Sequence, residues 1–417
     1  LTGIDFSNAT WIDGECICQN NSIGQCDGCP FAIIPRKMLD LRPIRGMAYQ
    51  PAPSDYSADC RNPASCKYFD TDFANDDFTG LWSSNNPGGS GPGRGDLNII
   101  ANKLGVSFLH LYNWSSPPLR KHKNFLDECS KLGIKVTLPI SNFTLECIRG
   151  DQLCKDCCAN PLGISTLKFA KKNVKDILTE VITNGVPHEA IAMWLIGNEY
   201  DLRGFSGAVV ATAIQFLIEA EQELGVVADE NKLPISSPVS FGTFGDIDDP
   251  GIVKTRELID ALRNNPTTRP ALVTRFVVAL NPFNMANFMG TYLGMTFPEE
   301  FPNVALWLPE YSFNDAKTTE AQQATIVQGQ LELCESLISN PTPMTNPNNY
   351  FLGCTYFEWS NEVWKETPED GFGAVKFDGT QGNGRTVGIP QNGPEDYPID
   401  KIMNKPVFDK IKGAFMK

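Results

Sequence analysis

The sequence predicts an α/β fold, a (β/α)8 barrel with a cysteine-rich N-terminal extension. Three observations predict it: short apolar β-rich runs recur eight times, helical patterns separate most of them, and 417 residues with 41% hydrophobic side chains can bury a barrel-sized core. We expect the barrel to occupy residues 41–417. Residues 1–40 carry four cysteines and little periodicity, so we expect a disulfide-bonded extension packed on the barrel.

Each predicted element follows from its own pattern. Strand segments are apolar runs of five to eight residues, and helical segments repeat apolar residues every three or four positions. The predicted strands are Ile44–Tyr49, Val106–Tyr112, Lys135–Ile140, Ile191–Ile196, Ile235–Phe241, Arg275–Leu280, Val304–Leu308 and Tyr350–Phe357. The predicted helices are Leu97–Leu104, Asn124–Leu132, Ser165–Thr183, Val210–Leu224, Lys254–Arg263, Thr319–Ser339 and Val407–Phe415.

An open, doubly wound sheet is the alternative fold for the same alternation of strands and helices. That fold places a glycine-rich phosphate-binding turn after its first strand, and none follows Tyr49. The glycine-rich stretch at 85–95 comes later and lacks the Lys-Ser/Thr pair of a P-loop. We therefore interpret that stretch as a loop on the rim of a barrel.

Charge and hydropathy exclude several classes of partner. The net charge is −14 and the isoelectric point is near 4.8, so the chain would repel nucleic acid and anionic lipid surfaces. The sequence contains no apolar run long enough to span a membrane and no secretory signal pattern at Leu1. We expect a mature secreted chain, extracellular or in a cell wall, that acts as a monomer.

Cysteines and sequons indicate the same compartment. The 13 cysteines fall mainly into short clusters, a density that favours disulfides in an oxidising environment. The odd count leaves at least one cysteine unpaired, and we expect it to be Cys334 or Cys354. Among four Asn-x-Ser/Thr sequons we expect glycans at Asn8 and Asn20. A zinc site is the alternative for the first cluster, whose thiols are Cys16, Cys18, Cys26 and Cys29.

Catalytic groups in a (β/α)8 barrel lie where the strands end, at the C-terminal face. The fourth strand ends in Asn198-Glu199, and the seventh runs into Glu310. Glycosidic bond cleavage requires one neutral acid to protonate the leaving oxygen and one carboxylate to attack the anomeric carbon, and it needs neither metal nor cofactor. We predict that Glu199 and Glu310 form this pair. Asn198 would hydrogen-bond the sugar 2-hydroxyl, whereas Glu358 and Glu362 are expected to form ion pairs or cap a helix.

Four short motifs resemble one family. They are IRGMAYQP (44–51), WLIGNE (194–199), LPEY (308–311) and FEWSNE (357–362), and in this order they resemble the fungal β-1,3-glucanosyltransferases. They also resemble, more loosely, the β-1,3-glucanases of the same clan of retaining (β/α)8 glycosidases. The resemblance implies that Glu199 is the acid/base, Glu310 the nucleophile and Asn198 its supporting amide. It further implies substrate contacts at Tyr49 and Gln50 in the first-strand motif, and at Trp359 as the aromatic floor of the site.

The second strand departs from the family pattern. The family usually has an arginine two residues before the tyrosine of this strand, where it steadies the nucleophile, and here LHLY places His110 before Tyr112. A neutral imidazole would hold Glu310 less firmly, and a protonated one would hold it only under acid conditions.

The sixth strand departs as well. It ends in Asn281-Pro282-Phe283, where relatives commonly offer the nucleophile a tyrosine hydroxyl that Phe283 lacks. We expect Asn281 and Phe283 to lie at the site and Tyr311 or Tyr112 to compensate for the missing hydroxyl.

The leading hypothesis is a secreted retaining enzyme that hydrolyses or transfers a β-glucan, with β-1,3 linkage favoured, through a covalent intermediate on Glu310. A glycosidase of the same clan that acts on a mannan or a β-1,4-glucan is the alternative within the class. From other classes come a carbohydrate-binding barrel that has lost catalysis and a zinc protein built on the N-terminal cysteines. His122 and His188 are expected at the surface.

Overall fold

The computed structural model describes most of the chain after residue 39. Its described residues are 9–12, 15–18, 40–56, 71–115, 120–151, 164–240, 250–301, 304–339, 350–365, 370–386 and 396–416. The strands Ala9–Ile12 and Glu15–Cys18, described by their backbone alone, pair antiparallel within the predicted extension. The predicted glycan sites Asn8 and Asn20, and Cys26 and Cys29 of the zinc alternative, lie outside the described residues.

Eight parallel strands close into a barrel, which confirms the predicted (β/α)8 or TIM-barrel fold. Each strand pairs with its neighbours in chain order, and the last pairs with the first. Every predicted strand is present, with ends that differ by three residues or fewer. The strands are β1 (Ile44–Ala48), β2 (Phe108–His110), β3 (Lys135–Ile140), β4 (Ile191–Ile196), β5 (Ile235–Ser240), β6 (Phe276–Asn281), β7 (Ala305–Tyr311) and β8 (Tyr350–Tyr356).

Helices follow the strands, and each predicted helical pattern corresponds to one of them. The α-helices are Thr79–Trp82, Asp96–Leu104, Lys123–Lys131, Asn142–Arg149, Thr166–Val181, Gly207–Glu223, Pro250–Asn264, Arg269–Thr274, Ala286–Thr291, Phe297–Glu300, Glu320–Ser339 and Pro406–Phe415. Short 3-10 helices occur at Asp76–Phe78, Asp229–Asn231 and Asp315–Lys317, and Tyr292–Thr296 is a π-helical turn. In the part of the chain that the structure describes, none of these helices has the length and apolarity to cross a bilayer.

Besides the pair in the extension, two small antiparallel pairs were not predicted from the sequence. Ile182–Thr183 pairs with Val186–Pro187 after a helix, and Val375–Arg385 pairs with Asp396–Asn404 near the C-terminus. The second hairpin packs Tyr397 and Ile399 against an aromatic cluster beside the barrel. Its first strand carries glycines and polar residues instead of apolar alternation, so the sequence offers no strand pattern there.

The barrel strands are buried on both faces. One face packs inside the barrel, and the other packs against the surrounding helices. Trp307 on β7 faces the barrel interior and donates its indole N–H to Ser236 Oγ at 3.0 Å. Trp194 on β4 faces the surrounding helices and donates to Glu221 Oε1 at 2.7 Å, and Arg275 binds the same carboxylate. Both indoles are fully buried in the core. Burial of both faces explains why these strands read as continuous apolar runs.

The prediction for the unpaired cysteine is wrong. Cys334 and Cys354 form a disulfide, with Cα atoms 6.5 Å apart, that joins the helix Glu320–Ser339 to β8. Cys129 is the free, buried cysteine within the described ranges. Cys334 and Cys354 are brought together by packing of a helix on the barrel, which a spacing in the sequence does not show.

The prediction for His122 is also wrong, because this residue is fully buried. Its Nε2 lies 2.8 Å from Asp72 Oδ2, its Nδ1 lies 3.1 Å from both carboxylate oxygens of Glu180, and Trp114 stacks on its ring at 3.7 Å. Burial opposes a charge on His122, but the two carboxylates outweigh it and raise its pKa to about 9. His188 is partly exposed, and its Nε2 lies 3.1 Å from Asp127.

Candidate active site

The side chain of Asn142 holds the turn that follows β4 through two hydrogen bonds. Gly197 has a φ of +62°, and a Cβ there would lie 2.7 Å from both Asn142 Oδ1 and Leu145 Cδ1. Asn142 donates to the carbonyl of Asn198 at 2.8 Å and accepts from its N–H at 3.1 Å. A glycine is therefore required where this turn passes the Asn142 side chain, and the two hydrogen bonds fix the backbone of Asn198.

The apolar run of β4 thus ends in two residues with a defined orientation. Asn198 Nδ2 donates to Glu310 Oε1 at 3.0 Å, and Asn281 Nδ2 donates to Asn198 Oδ1 at 3.2 Å. Glu199 has a φ of +46°, a left-handed conformation that is uncommon outside glycine and that concentrates at functional sites. The ends of β4, β6 and β7 therefore meet in one chain of contacts.

Glu199 lies where a carboxyl group keeps its proton. Burial raises its pKa to about 8, the negative charge of Glu310 adds to the rise, and a hydrogen bond from Asn281 opposes it. Glu310 is itself nearly buried and accepts the Asn198 hydrogen bond. The pair thus joins a carboxyl group that is neutral near pH 7 to a nearly buried glutamate whose Oε1 accepts a hydrogen bond.

The end of β2 faces the same carboxylate. His110 Nε2 lies 3.5 Å from Glu310 Oε1, and its ring lies 4.5 Å from that of Tyr112. Neither ring nitrogen of His110 has a hydrogen-bond partner among the residues that the structure describes. Burial, followed by the charges of Glu310 and Glu358, raises the pKa of Tyr112 well above its ordinary value. His110 and Tyr112 therefore occupy the positions facing Glu310.

An irregularity in β7 decides which of two adjacent side chains enters the site. The pairing of β7 with β8 shifts register between Leu308 and Tyr311. Trp307 and Glu310 face the barrel interior and its mouth, whereas Tyr311 packs in the outer layer, 6.1 Å from Tyr356. Tyr311 therefore does not reach Glu310, contrary to the sequence prediction, because an irregular residue count reverses the alternation of faces.

Two further predicted contacts have side chains that point away from the site. Tyr49 lies in the outer layer, where its hydroxyl bonds Asp96 Oδ2 at 3.1 Å. Trp359 is fully buried in the same layer, and its backbone N–H donates to the carbonyl of Ala48. Gln50, one residue after Tyr49, lines a small recess beside Tyr112. Alternation along the strands places neighbouring residues on opposite faces, and the motifs do not reveal which face each residue takes.

Phe357, not Trp359, is the aromatic residue after β8 that lies beside the site. Its ring contacts those of Tyr112 at 6.5 Å, Phe283 at 5.6 Å and Phe372 at 5.3 Å. Phe283 is half-buried. Sequence reasoning missed Phe357 because the predicted strand ended on it, although its position one residue before Glu358 was a usable signal.

A second acidic group lies at the end of β8. Burial, followed by the neighbouring Glu362, raises the pKa of Glu358 well above its ordinary value. Burial also raises the pKa of Glu362, which forms an ion pair with Lys365. Lys365 Nζ lies 5.4 Å from the centre of the Phe357 ring. The ion pair agrees with the role expected for Glu362, but sequence reasoning missed Lys365.

The arrangement can transfer a proton and present a nucleophile to one bound group. Glu199 supplies a neutral acid, Glu310 an acceptor oxygen held by Asn198, and the Phe357 and Phe283 rings an apolar wall. Across the described ranges no group of three or more His, Cys, Asp or Glu side chains has the geometry of a metal site.

Comparisons with known proteins show distant likeness. No family model and no curated protein matches the sequence. A Saccharomyces cerevisiae Gas2p structure with laminaritriose and laminaritetraose is 13% identical, covers 99% of this chain and 70% of its own, and has a TM-score of 0.45. An FMN-binding β-glucuronidase from Facaelibacterium prausnitzii L2-6 is 16% identical over 78% of this chain and 40% of its own, with a TM-score of 0.45.

A β-glucuronidase from Bacteroides uniformis is 12% identical over 84% of this chain and 34% of its own, with a TM-score of 0.47. This chain therefore spans 40% and 34% of the lengths of the two glucuronidases and 64% of a second Gas2 structure. Structural similarity at this level concerns only the path of the barrel backbone. It gives no information about the reaction or the substrate.

Proposed function

We propose that this chain is a retaining glycosidase or transglycosylase that acts on a β-glucan. The observation that carries the proposal is the hydrogen bond from Asn198 to Glu310, beside a Glu199 whose pKa is raised to about 8. Two carboxyl groups with opposite protonation states, delivered from the ends of β4 and β7, are what a retaining mechanism needs.

In the proposed reaction Glu310 attacks the anomeric carbon while Glu199 gives its proton to the leaving oxygen, so the glycosidic bond breaks as an ester bond to Glu310 forms. Glu199, now a carboxylate, then takes a proton from water or from a sugar hydroxyl. The deprotonated oxygen attacks the anomeric carbon, and Glu310 leaves as a carboxylate. Asn198 would bind the sugar 2-hydroxyl next to Glu310, where this contact strengthens as positive charge develops.

The choice of a β-1,3-glucan rests on the resemblance of the four sequence motifs to the β-1,3-glucanosyltransferases. We infer a secreted protein that binds oligo- or polysaccharide, in agreement with the cysteine clusters and the sequons. A mannan or a β-1,4-glucan is the alternative substrate within the same mechanism.

Incubation with laminarin, mannopentaose or cellopentaose tests the proposal. Product ladders and proton NMR of the first product should show a β-anomer, which both hydrolysis with retention and transfer produce. Glu310→Gln and Glu199→Gln should each reduce kcat by at least about 1,000-fold. Glu299→Gln, which changes an exposed carboxylate on Phe297–Glu300, serves as the matched control. An α-anomer as the first product, or full activity in Glu310→Gln, would exclude the mechanism.

A carbohydrate-binding barrel without catalysis is a second candidate, favoured by one observation. His110 stands 3.5 Å from Glu310, at the position where the resembling family has an arginine. Binding of laminari-oligosaccharides with equal affinity by the wild-type protein and by Glu310→Gln, and turnover by neither, would establish this function instead.

A further inference from the structure

Three phenylalanine rings lie together where β6 and β8 end. Phe283 follows β6, Phe357 follows β8, and their ring centres are 5.6 Å apart. Because β7 lies between these two strands in the barrel, this contact crosses the end of the strand that carries Glu310. Phe372 completes the group, with its ring 5.4 Å from that of Phe283 and 5.3 Å from that of Phe357. We call these three phenylalanines the phenylalanine wall.

A series of contacts joins the phenylalanine wall to the proposed nucleophile. The ring of Phe357 lies 6.5 Å from that of Tyr112, and the ring of Tyr112 lies 4.5 Å from that of His110. His110 Nε2 lies 3.5 Å from Glu310 Oε1. Together with the position of β7 between β6 and β8, these contacts place the wall beside Glu310 at the mouth of the barrel.

Buried side chains hold the backbone around Phe372. The carbonyl of Gly371 accepts hydrogen bonds from Gln323 Nε2 and Lys405 Nζ, both at 3.0 Å. The carbonyl of Phe372 accepts one from the Tyr356 hydroxyl at 2.6 Å. All three donors are buried. Because three buried hydrogen bonds fix two adjacent carbonyls, the fold sets the position of Phe372 before any ligand binds.

The chain is held on the other side of Phe372 as well. Gly373 donates its N–H to Asn361 Oδ1 at 2.9 Å. A Cβ on Gly373 would lie 2.1 Å from the backbone nitrogen of Asn361, so a glycine is required where the two segments pass each other. Phe372 therefore lies between two fixed points of the backbone.

Phe372 and Phe283 form the exposed part of the phenylalanine wall. Both are half-buried, whereas Phe357 is buried and has Lys365 Nζ 5.4 Å from its ring centre. Ligand sites combine apolar and aromatic walls with a few polar groups that set the orientation of the ligand. An aromatic ring that the fold fixes in place and leaves partly open, beside Glu310, has the character of such a wall.

We propose that Phe372 is a sugar-binding residue whose ring, together with that of Phe283, takes the C–H face of one sugar unit. The inference rests on the proposed function, because it takes the ligand to be a β-linked glucan. A β-glucopyranose ring carries its hydroxyl groups around its edge and C–H groups on both faces. The negative face of an aromatic ring attracts such C–H groups. Asn198 and Glu310 would then bind polar groups of the substrate while the phenylalanine wall binds its apolar surface.

Calorimetric titration with laminarihexaose tests the inference without relying on activity. The full chain carries Glu310→Gln as the background, so that the ligand stays intact. Adding Phe372→Leu keeps an apolar side chain but removes the ring, and Kd should rise at least about fivefold. Phe372→Tyr keeps the ring and should leave Kd unchanged. Phe216→Leu, the matched control, makes the same change on the helix Gly207–Glu223, where the ring centre lies 5.9 Å from Lys171 Nζ.

Steady-state kinetics on laminarin, with Glu310 intact, provide a second readout. A stacking contact is made equally in the ground state and in the transition state, so Phe372→Leu should raise KM at least about fivefold and leave kcat within about twofold. A packing defect would instead lower kcat together with the midpoint of thermal unfolding. Phe372→Met replaces Phe372→Leu in both assays if the latter fails to fold, as judged by near-UV circular dichroism.

The outcomes separate the two proposals. If the wild-type protein binds laminarihexaose without turnover and Phe372→Leu weakens binding, the role of Phe372 is retained and the proposed function is removed. Unchanged Kd and KM in a folded Phe372→Leu, with an active wild-type protein, would overturn the inference and leave the proposed function standing. A loss of binding that Phe216→Leu reproduces, or that Phe372→Tyr does not reverse, would also overturn it, because the ring face would then not be the cause.

Discussion

His122 provides a test of the structure that is independent of the reaction. The imidazole lies between Asp72 and Glu180, and its pKa is raised from 6.5 to about 9. A group whose pKa is higher in the folded than in the unfolded state stabilises the fold below its unfolded pKa, and this contribution disappears as the pH rises through the folded value. At about 1.4 kcal/mol per pH unit, the rise corresponds to about 3 kcal/mol of unfolding free energy.

The assay is urea unfolding of the wild-type protein and of His122→Gln from about pH 6 to about pH 10, with the disulfides intact. The variant should be less stable by about 3 to 5 kcal/mol below pH 6.5, because Asp72 and Glu180 lose their buried partner. That difference should shrink by about 3 kcal/mol as the pH rises from about 6.5 to about 9. His188→Gln, at a partly exposed position, is the control. A difference that stays constant with pH would refute the ionised triad.

Three more outcomes follow from the contacts. Activity should fall about tenfold per pH unit above pH 8 because the pKa of Glu199, the proposed acid, is about 8, and a pH profile of kcat/KM on laminarin measures this. Gly197→Ala should reduce kcat/KM by at least about tenfold, because its Cβ would lie 2.7 Å from Asn142 Oδ1; normal kinetics would contradict this. Replacing Cys334 and Cys354 by alanine should lower the unfolding free energy by about 3 kcal/mol in urea titrations, since the bridge closes a loop of 20 residues.

The strand ends show which site residues can be predicted from the local sequence pattern. Asn198 and Glu310 meet as the (β/α)8 hypothesis requires, because the C-terminal ends of all barrel strands converge on one face. His110 also lies opposite Glu310, since β2 alternates inward at Phe108 and His110. For these residues the position along a regular strand is sufficient information.

Position along a strand is not sufficient for three other residues, Tyr49, Tyr311 and Trp359. Each lies in a motif that resembles a site sequence, yet each side chain packs in the layer between the barrel and the helices. For Tyr311 the cause is a register shift in β7, and such a shift depends on pairing with a neighbouring strand. Lys365 was not predicted, because a single lysine in a loop belongs to no recognisable sequence pattern. Its contacts with Glu362 and Phe357 form only in the folded structure.

The sequence by itself determined the number and order of the strands, the helices between most of them, and the two glutamates at the ends of β4 and β7. These features depend on periodicity and on composition, which act over a few residues. Only the tertiary structure decided which side chains face the barrel mouth, that Asn142 holds Asn198, and that His122 is buried and charged. Those outcomes depend on packing and electrostatic fields between residues that are distant in the chain.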